Sequence, residues 1–289
     1  MLWRSFLGII LLAATGSLVY LLWLPYVPDL QKHNPIKTPL MEMREKQALE
    51  LHHPLKTVYL WKDLNDISPN LMHAVLLSED DMFYQHHGFD MEQIQVAIKL
   101  DWAKKRFVYG GSTITQQLAR SLYLSPRKNL FRKAKEAIIT VLLERYLSKR
   151  RIMELYLNVV EWGKGIYGAE AAAQAYFQKP AIALSPDEAA ALASILPSPR
   201  RWNPASERAF MARRRTRLVA RMRAAGYLPV ETSTEPVVPD EIRRMAEEGD
   251  RILDQQDREE NPLQIPSDDA QTEDGLYVPS HAAPDAVEQ

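Results

Sequence analysis

The chain contains no cysteine. That absence excludes disulfides, zinc-thiolate sites, iron–sulfur clusters and a cysteine nucleophile, and it fits an oxidising compartment without requiring one. Other signatures are missing as well. No glycine-rich loop ends in G-K-[ST], so the phosphate cradle of a nucleotide-binding P-loop is excluded. Ser125 and Lys128 fit S-x-x-K, but no K-T-G follows and Pro126 stands at a helix start, which removes an acyl-serine enzyme of that type. His86 and His87 lack metal-ligating partners at a recognisable spacing. No internal repeat occurs at solenoid periods.

What is present is a chain of 289 residues, 46% hydrophobic, enough for one large domain or two small ones with a substantial core. The formal net charge of -1 hides a segregation. Residues 96–153 carry 14 Lys+Arg against 3 Asp+Glu, a balance of +11, whereas residues 230–289 carry 4 against 17, a balance of -13. A basic middle followed by an acidic tail points to an anionic partner for the middle.

Residues 5–24 form an apolar run without a charge, and about 20 residues match the hydrocarbon thickness of a bilayer. The run continues past the small residues Ala13–Ser17 through Leu18, Val19, Leu21, Leu22 and Trp23, which favours an uncleaved anchor over a signal peptide. Arg4 places the N-terminus on the cytoplasmic side. Residues 25–55 read as a linker and membrane-proximal segment, extended over 25–39 and of mixed charge beyond, residues 56–228 as the main domain, and residues 229–289 as an acidic tail with too few large apolar residues to fold. K-T-V-Y-L, ending at Leu60, suits one short strand. Beyond it the periodicity is helical almost throughout, so the fold class is mainly α.

Two stretches carry chemistry. Ser68 and Pro69 open a helix whose apolar face is Leu71, Met72, Val75 and Leu76, and which runs out at Glu79 and Asp80. Carboxylates at the end of an apolar helix, followed by Phe83, Tyr84 and the turn-forming Gly88, can present an acid at a cleft wall. Taken alone, the same residues fit an ordinary solvated helix end. Gly110 to Gln117 reads G-G-S-T-I-T-Q-Q, a helix start with free backbone N–H groups and two amides suited to sugar hydroxyls. Arg127, Lys128, Arg132, Lys133 and Lys135 surround Glu136 with more cations than one carboxylate needs, which suits a multiply charged anion such as a pyrophosphate. A solvated basic face is the plain alternative.

The blocks then fall into an order. Glu79-Asp80-x-x-Phe83-x-x-His86-x-Gly88, Gly110 to Gln117, Arg132-Lys133-x-x-Glu136, Lys149-x-x-Ile152-Met153-Glu154-x-Tyr156-Leu157-Asn158 and Gly165-Ile166-Tyr167-Gly168-Ala169-Glu170 together resemble the peptidoglycan glycosyltransferases, in their single-anchor form without a transpeptidase domain. The resemblance covers about half the chain.

It implies a lysozyme-like, two-lobed, mainly helical domain behind an N-terminal transmembrane helix, with the N-terminus cytoplasmic and the domain periplasmic at the inner membrane. It implies a polymerase that joins lipid II to a growing glycan strand through β-1,4 linkages. Glu79 would be the general base, and Glu136 would lie near the pyrophosphate, acting through hydrogen bonds or a divalent cation. Arg120, Lys128, Lys133 and Lys135 fall where the family places its leaving-group cations. Arg120 stands where lysine is usual and Lys128 where arginine is usual, with Arg127 beside it. Asp80, Phe83, His86, Gly88, Ser112, Thr113, Gln116, Gln117 and Arg132 complete the expected substrate-contact set. No cofactor is obligatory, and Mg or Mn beside Glu136 is the one cation the resemblance admits. Expected partners are lipid II, the glycan strand, membrane lipid and cell-wall synthesis or division proteins, but not nucleic acid. A murein hydrolase using Glu79 as acid, and an inactive membrane-anchored scaffold, are the competing functions.

Overall fold

A computed structural model describes residues 15–16, 19–20, 23–52, 55–104, 111–125, 129–206 and 208–229. Most of the apolar run 5–24, the acidic tail from residue 230, and Gly110, Arg127 and Lys128 lie outside them. Among the described residues no helix is long and apolar enough to cross a membrane.

The fold is mainly helical. Among the described residues the order is α1 (Pro39–Glu50), β1 (Val58–Tyr59), α2 (Pro69–Glu79), α3 (Met91–Lys104), α4 (Ile114–Tyr123), α5 (Leu130–Tyr146), α6 (Lys149–Val159), β2 (Glu161–Gly163), β3 (Ile166–Tyr167), α7 (Ala169–Phe177), α8 (Pro186–Ile195) and α9 (Ala209–Ala224), with one short 3-10 helix before α1 and two between later elements. Helices α2, α8 and α9 pack on one another, while α4 packs against α5 and α6. The core between them is built from Leu71, Val75, Phe83, Ile114, Leu118, Ile139, Leu143, Ile152 and Trp162, all buried. Each such side chain, fully removed from water, contributes about 1.5–3 kcal/mol.

The helix boundaries follow from side-chain chemistry at the caps. The Ser68 hydroxyl accepts from the Asn70 N–H at 3.3 Å, with proline at the first helical position. Asn129 caps α5 by accepting from the Arg132 N–H at 2.7 Å, and Asp90 accepts from the Gln93 N–H at 2.8 Å. Ser185 and Glu188 close a reciprocal capping box on α8. Each cap answers a backbone donor that the first turn leaves without a helical partner.

Three segments differ from their sequence reading. Residues 25–39 are not a wholly extended linker: Val27–Gln31 is a 3-10 turn, and Val27 and Leu30 are buried in the core. Their spacing of three is the period of that helix, which puts both side chains on one side. The Arg151 Nε donates to the Leu30 carbonyl at 2.8 Å and fastens the segment to α6. Residues 39–50 form α1, whose mixed charges obscure a face that buries only Met41. The glycine-rich stretch after α6 interrupts the helical run expected there. It makes a hairpin of β2 and β3 around Lys164 and Gly165, and β1 joins β3 in parallel, Val58 opposite Ile166.

Gly168 joins this sheet to α7 with φ +88, and a Cβ there would stand 2.9 Å from the Asn158 carbonyl oxygen and 3.0 Å from that of Leu60. Both obstacles are backbone, which cannot swing aside. Gly168→Ala is therefore expected to lower stability by about 1–3 kcal/mol, read as a reduced denaturation midpoint at unchanged slope.

Candidate active site

Helix α2 delivers Glu79 at its last position, half-buried, and Asp80 caps the helix behind it. The two adjacent carboxylates do different things. Asp80 is 2% exposed and turned inward. Its Oδ1 lies 2.8 Å from His86 Nε2, and its Oδ2 accepts from the Ile114 N–H at 2.9 Å. His86 Nδ1 accepts from the Gly88 N–H at 3.1 Å, so the neutral ring carries its proton on Nε2 and donates it to Asp80. The Thr113 hydroxyl donates to the Gly88 carbonyl at 2.7 Å. These contacts tie the turn after α2 to the start of α4. Phe83 is fully buried beneath them, with Lys149 Nζ 4.3 Å from its ring centroid. Asp80, Phe83, His86, Gly88 and Thr113 are thus placed as the frame under the site. Gly88 has φ +90, and a Cβ there would come within 2.7 Å of Thr140 Cγ2.

Glu79 is held differently. Its Oε2 accepts from Gln117 Nε2 at 2.8 Å. Burial pushes the carboxyl up to about 7, a rise enlarged by Asp80 and opposed by the Gln117 hydrogen bond and by the positive charges of Arg214 and Arg120. Arg214 comes from α9 and lies 5.3 Å from the ring centroid of Trp202 and 5.7 Å from that of Phe210. The neighbouring amide, Gln116, serves its own helix: its Oε1 accepts from the Thr113 N–H at 3.0 Å, while the Thr113 hydroxyl accepts from the Gln116 N–H at 3.3 Å.

Glu136 is 0% exposed on α5. Arg132 Nη1 donates to its Oε2 at 2.6 Å and Lys133 Nζ to its Oε1 at 2.5 Å. A wholly buried carboxylate survives as an anion only with such partners. Lys133 reaches outward as well, its side chain 47% exposed, and donates to the Ser112 hydroxyl at 3.2 Å. The Ser112 carbonyl in turn accepts a longer contact from Gln117 Nε2 at 3.4 Å. One continuous series of polar contacts therefore runs Glu79–Gln117–Ser112–Lys133–Glu136, with α4 standing between the two glutamates.

Lys135 takes no place in that series. Its Nζ donates to the Tyr20 carbonyl at 2.9 Å and lies 4.2 Å from the Tyr20 ring centroid. Nor does the donor set suit a divalent cation at Glu136, since both carboxylate oxygens are engaged by Arg132 and Lys133. Among the described residues no group of three or more His, Asp or Glu side chains converges to hold one.

Two residues of the site were not singled out from sequence. Arg214 gave no signal, because one arginine of an arginine-laden helix looks like the next. Tyr156 stands inside a motif whose other members explain the spacing: the Asn158 side chain clamps both the N–H and the carbonyl of Lys62, and Glu154 accepts from the Leu64 N–H at 2.9 Å. Tyr156 instead turns toward α4, and its hydroxyl donates to Gln117 Oε1 at 3.0 Å.

The transglycosylase family model matches residues 49–223, a span that contains every member of this series. A protein of Azoarcus sp. (strain BH72) named biosynthetic peptidoglycan transglycosylase is 48% identical over 211 residues, which is 72% of this chain and 89% of the relative. One of the same name from Alcanivorax borkumensis is 44% identical over 242 residues, 82% of this chain and 95% of the relative.

Proposed function

The chain belongs to the transglycosylase family, and from that premise we propose that it polymerises peptidoglycan, transferring a lipid-diphosphate-linked glycan onto the 4-hydroxyl of lipid II. The observation that supports this most is the series of contacts joining Glu79 to the Lys133–Glu136 pair through Gln117 and Ser112. It sets a carboxyl that titrates near neutrality beside fixed positive charge.

In this reading the Glu79 carboxylate takes the proton of the acceptor hydroxyl as its oxygen attacks the donor's anomeric carbon. The bond from that carbon to the diphosphate breaks on the opposite face, so the α configuration becomes β. The departing diphosphate already carries charge. It needs cations rather than a proton donor, and Lys133 and Arg120 supply them. Glu136 holds Arg132 and Lys133 at fixed positions, and no step runs through a metal ion. We read the α2, α8, α9 group and the α4, α5, α6 group as the two lobes of a lysozyme-like domain, and residues 5–24 as its anchor in the inner membrane.

The raised carboxyl of Glu79 would equally serve a murein hydrolase as a general acid. Purified protein incubated with lipid II, and separately with finished murein, separates the two readings. Polymer growth supports transfer, and fragment release supports hydrolysis.

A pH dependence follows with a definite sign. A base works only when deprotonated, so polymerisation is expected to fall as pH drops through about 7, where the Glu79 carboxyl takes up its proton. Initial rates at subsaturating lipid II between pH 5 and 9 give the profile. A rate flat down to pH 5 would remove Glu79 from this role.

A further inference from the structure

Tyr156 is fully buried on α6, and its ring belongs to the core shared with α4. Only its hydroxyl meets the site, through Gln117 Oε1 at 3.0 Å. The same amide places Nε2 2.8 Å from Glu79 Oε2 and 3.4 Å from the Ser112 carbonyl oxygen. An amide has two faces of opposite character, and turning it over would aim Oε1 at a carboxylate and a carbonyl together. Those two acceptors choose the face, and the Tyr156 hydroxyl, donating to Oε1 from the other side, holds the amide in it.

We propose that Tyr156 is a positioning residue, whose hydroxyl holds the Gln117 side chain so that the amide N–H faces the Glu79 carboxylate. This rests on the reading of Glu79 as the base. Burial raises the Tyr156 phenol well above its ordinary range, which favours the protonated, donating hydroxyl. The charged or titratable groups facing Glu79 come from separate elements: Asp80 at the end of its own helix, Arg120 on α4, Tyr156 on α6 and Arg214 on α9. Of these, Tyr156 acts through the amide rather than through a charge. A donor held against the carboxylate favours its ionised form, and a chain of two hydrogen bonds polarises the one that touches the base.

The test is Tyr156→Phe, which keeps the buried ring and removes one oxygen. Losing the oriented donor is expected to move the acid limb of the rate profile upward by about half to one pH unit. At pH 6 that is a loss of about three- to tenfold, with recovery toward the wild-type rate by pH 9 and little change in KM. Gln117→Leu is expected to give the same displacement, and adding Tyr156→Phe to it no further one. A uniform loss at all pH values, or an additive double variant, would overturn the proposal. The Glu79 carboxyl titration, followed by carbon-13 NMR in protein labelled at glutamate and assigned with Glu79→Gln, separates this inference from the reading beneath it. It moves upward in Tyr156→Phe whether or not Glu79 is the base. An unmoved titration sinks the positioning role alone, and a moved titration with an unmoved rate profile sinks the base assignment alone.

Discussion

Glu79→Gln is expected to lower lipid II polymerisation by about 10²–10⁴-fold, the usual contribution of a positioned general base. The amide keeps the size of the side chain and can still accept from Gln117 Nε2, so the frame around it stays intact. No higher pH restores the rate, because there is no proton left to lose. Stability should move the other way. The native carboxyl takes up a proton near 7 and an unfolded glutamate near 4.5, so ionising it in the folded chain opposes folding. In the wild type that loss of stability sets in as pH rises above 4.5 and is complete above about 7. The variant is free of it, and at pH 8 it should unfold at higher denaturant than the wild type, by up to about 3 kcal/mol at 1.36 kcal/mol per pH unit. A variant that is both inactive and less stable would instead indicate damage to the fold.

Lys133→Gln and Lys135→Gln are expected to part company, although the two lysines stand two residues apart on α5. Lys133 joins Glu136 to Ser112, and it is the cationic link of the contact series. Losing one such charge on a departing anion costs about 10²–10³-fold in kcat. Lys135 is committed to the Tyr20 carbonyl and ring. Its loss should leave kcat within about threefold, since a partly exposed contact of this kind contributes about 1 kcal/mol or less. Steady-state kinetics on lipid II resolves the difference. Equal losses in kcat for both variants would mean that a diffuse basic face, not Lys133 in particular, meets the diphosphate.

Much of this arrangement was legible in the sequence, and the legible parts are those fixed by local chemistry. Ser68 with Pro69 announces a helix start because a capping side chain works within three residues of its own backbone. Glu79 and Gln117 were legible as members of ordered motifs. What could not be read is which way a side chain turns once helices cross. Asp80 looks like the equal of Glu79 in sequence, yet it faces inward to His86 and the Ile114 N–H. Lys133 and Lys135 look interchangeable in a basic run, yet a helix carries them about 200° apart around its axis. The β2–β3 hairpin was hidden because strands of two and three residues carry too little alternation to register, and Arg214 because its part in the site depends on α9 packing against α2.

The substrate is expected to lie along the contact series, with the acceptor hydroxyl at Glu79 and the diphosphate at Lys133. A crystal structure of the protein with an unreactive lipid II analogue tests it most directly. The expected result is a diphosphate oxygen within hydrogen-bonding distance of Lys133 Nζ, beside Ser112, and a sugar hydroxyl within the same reach of Glu79. A diphosphate seated away from Lys133, or a sugar hydroxyl out of reach of Glu79, would contradict it.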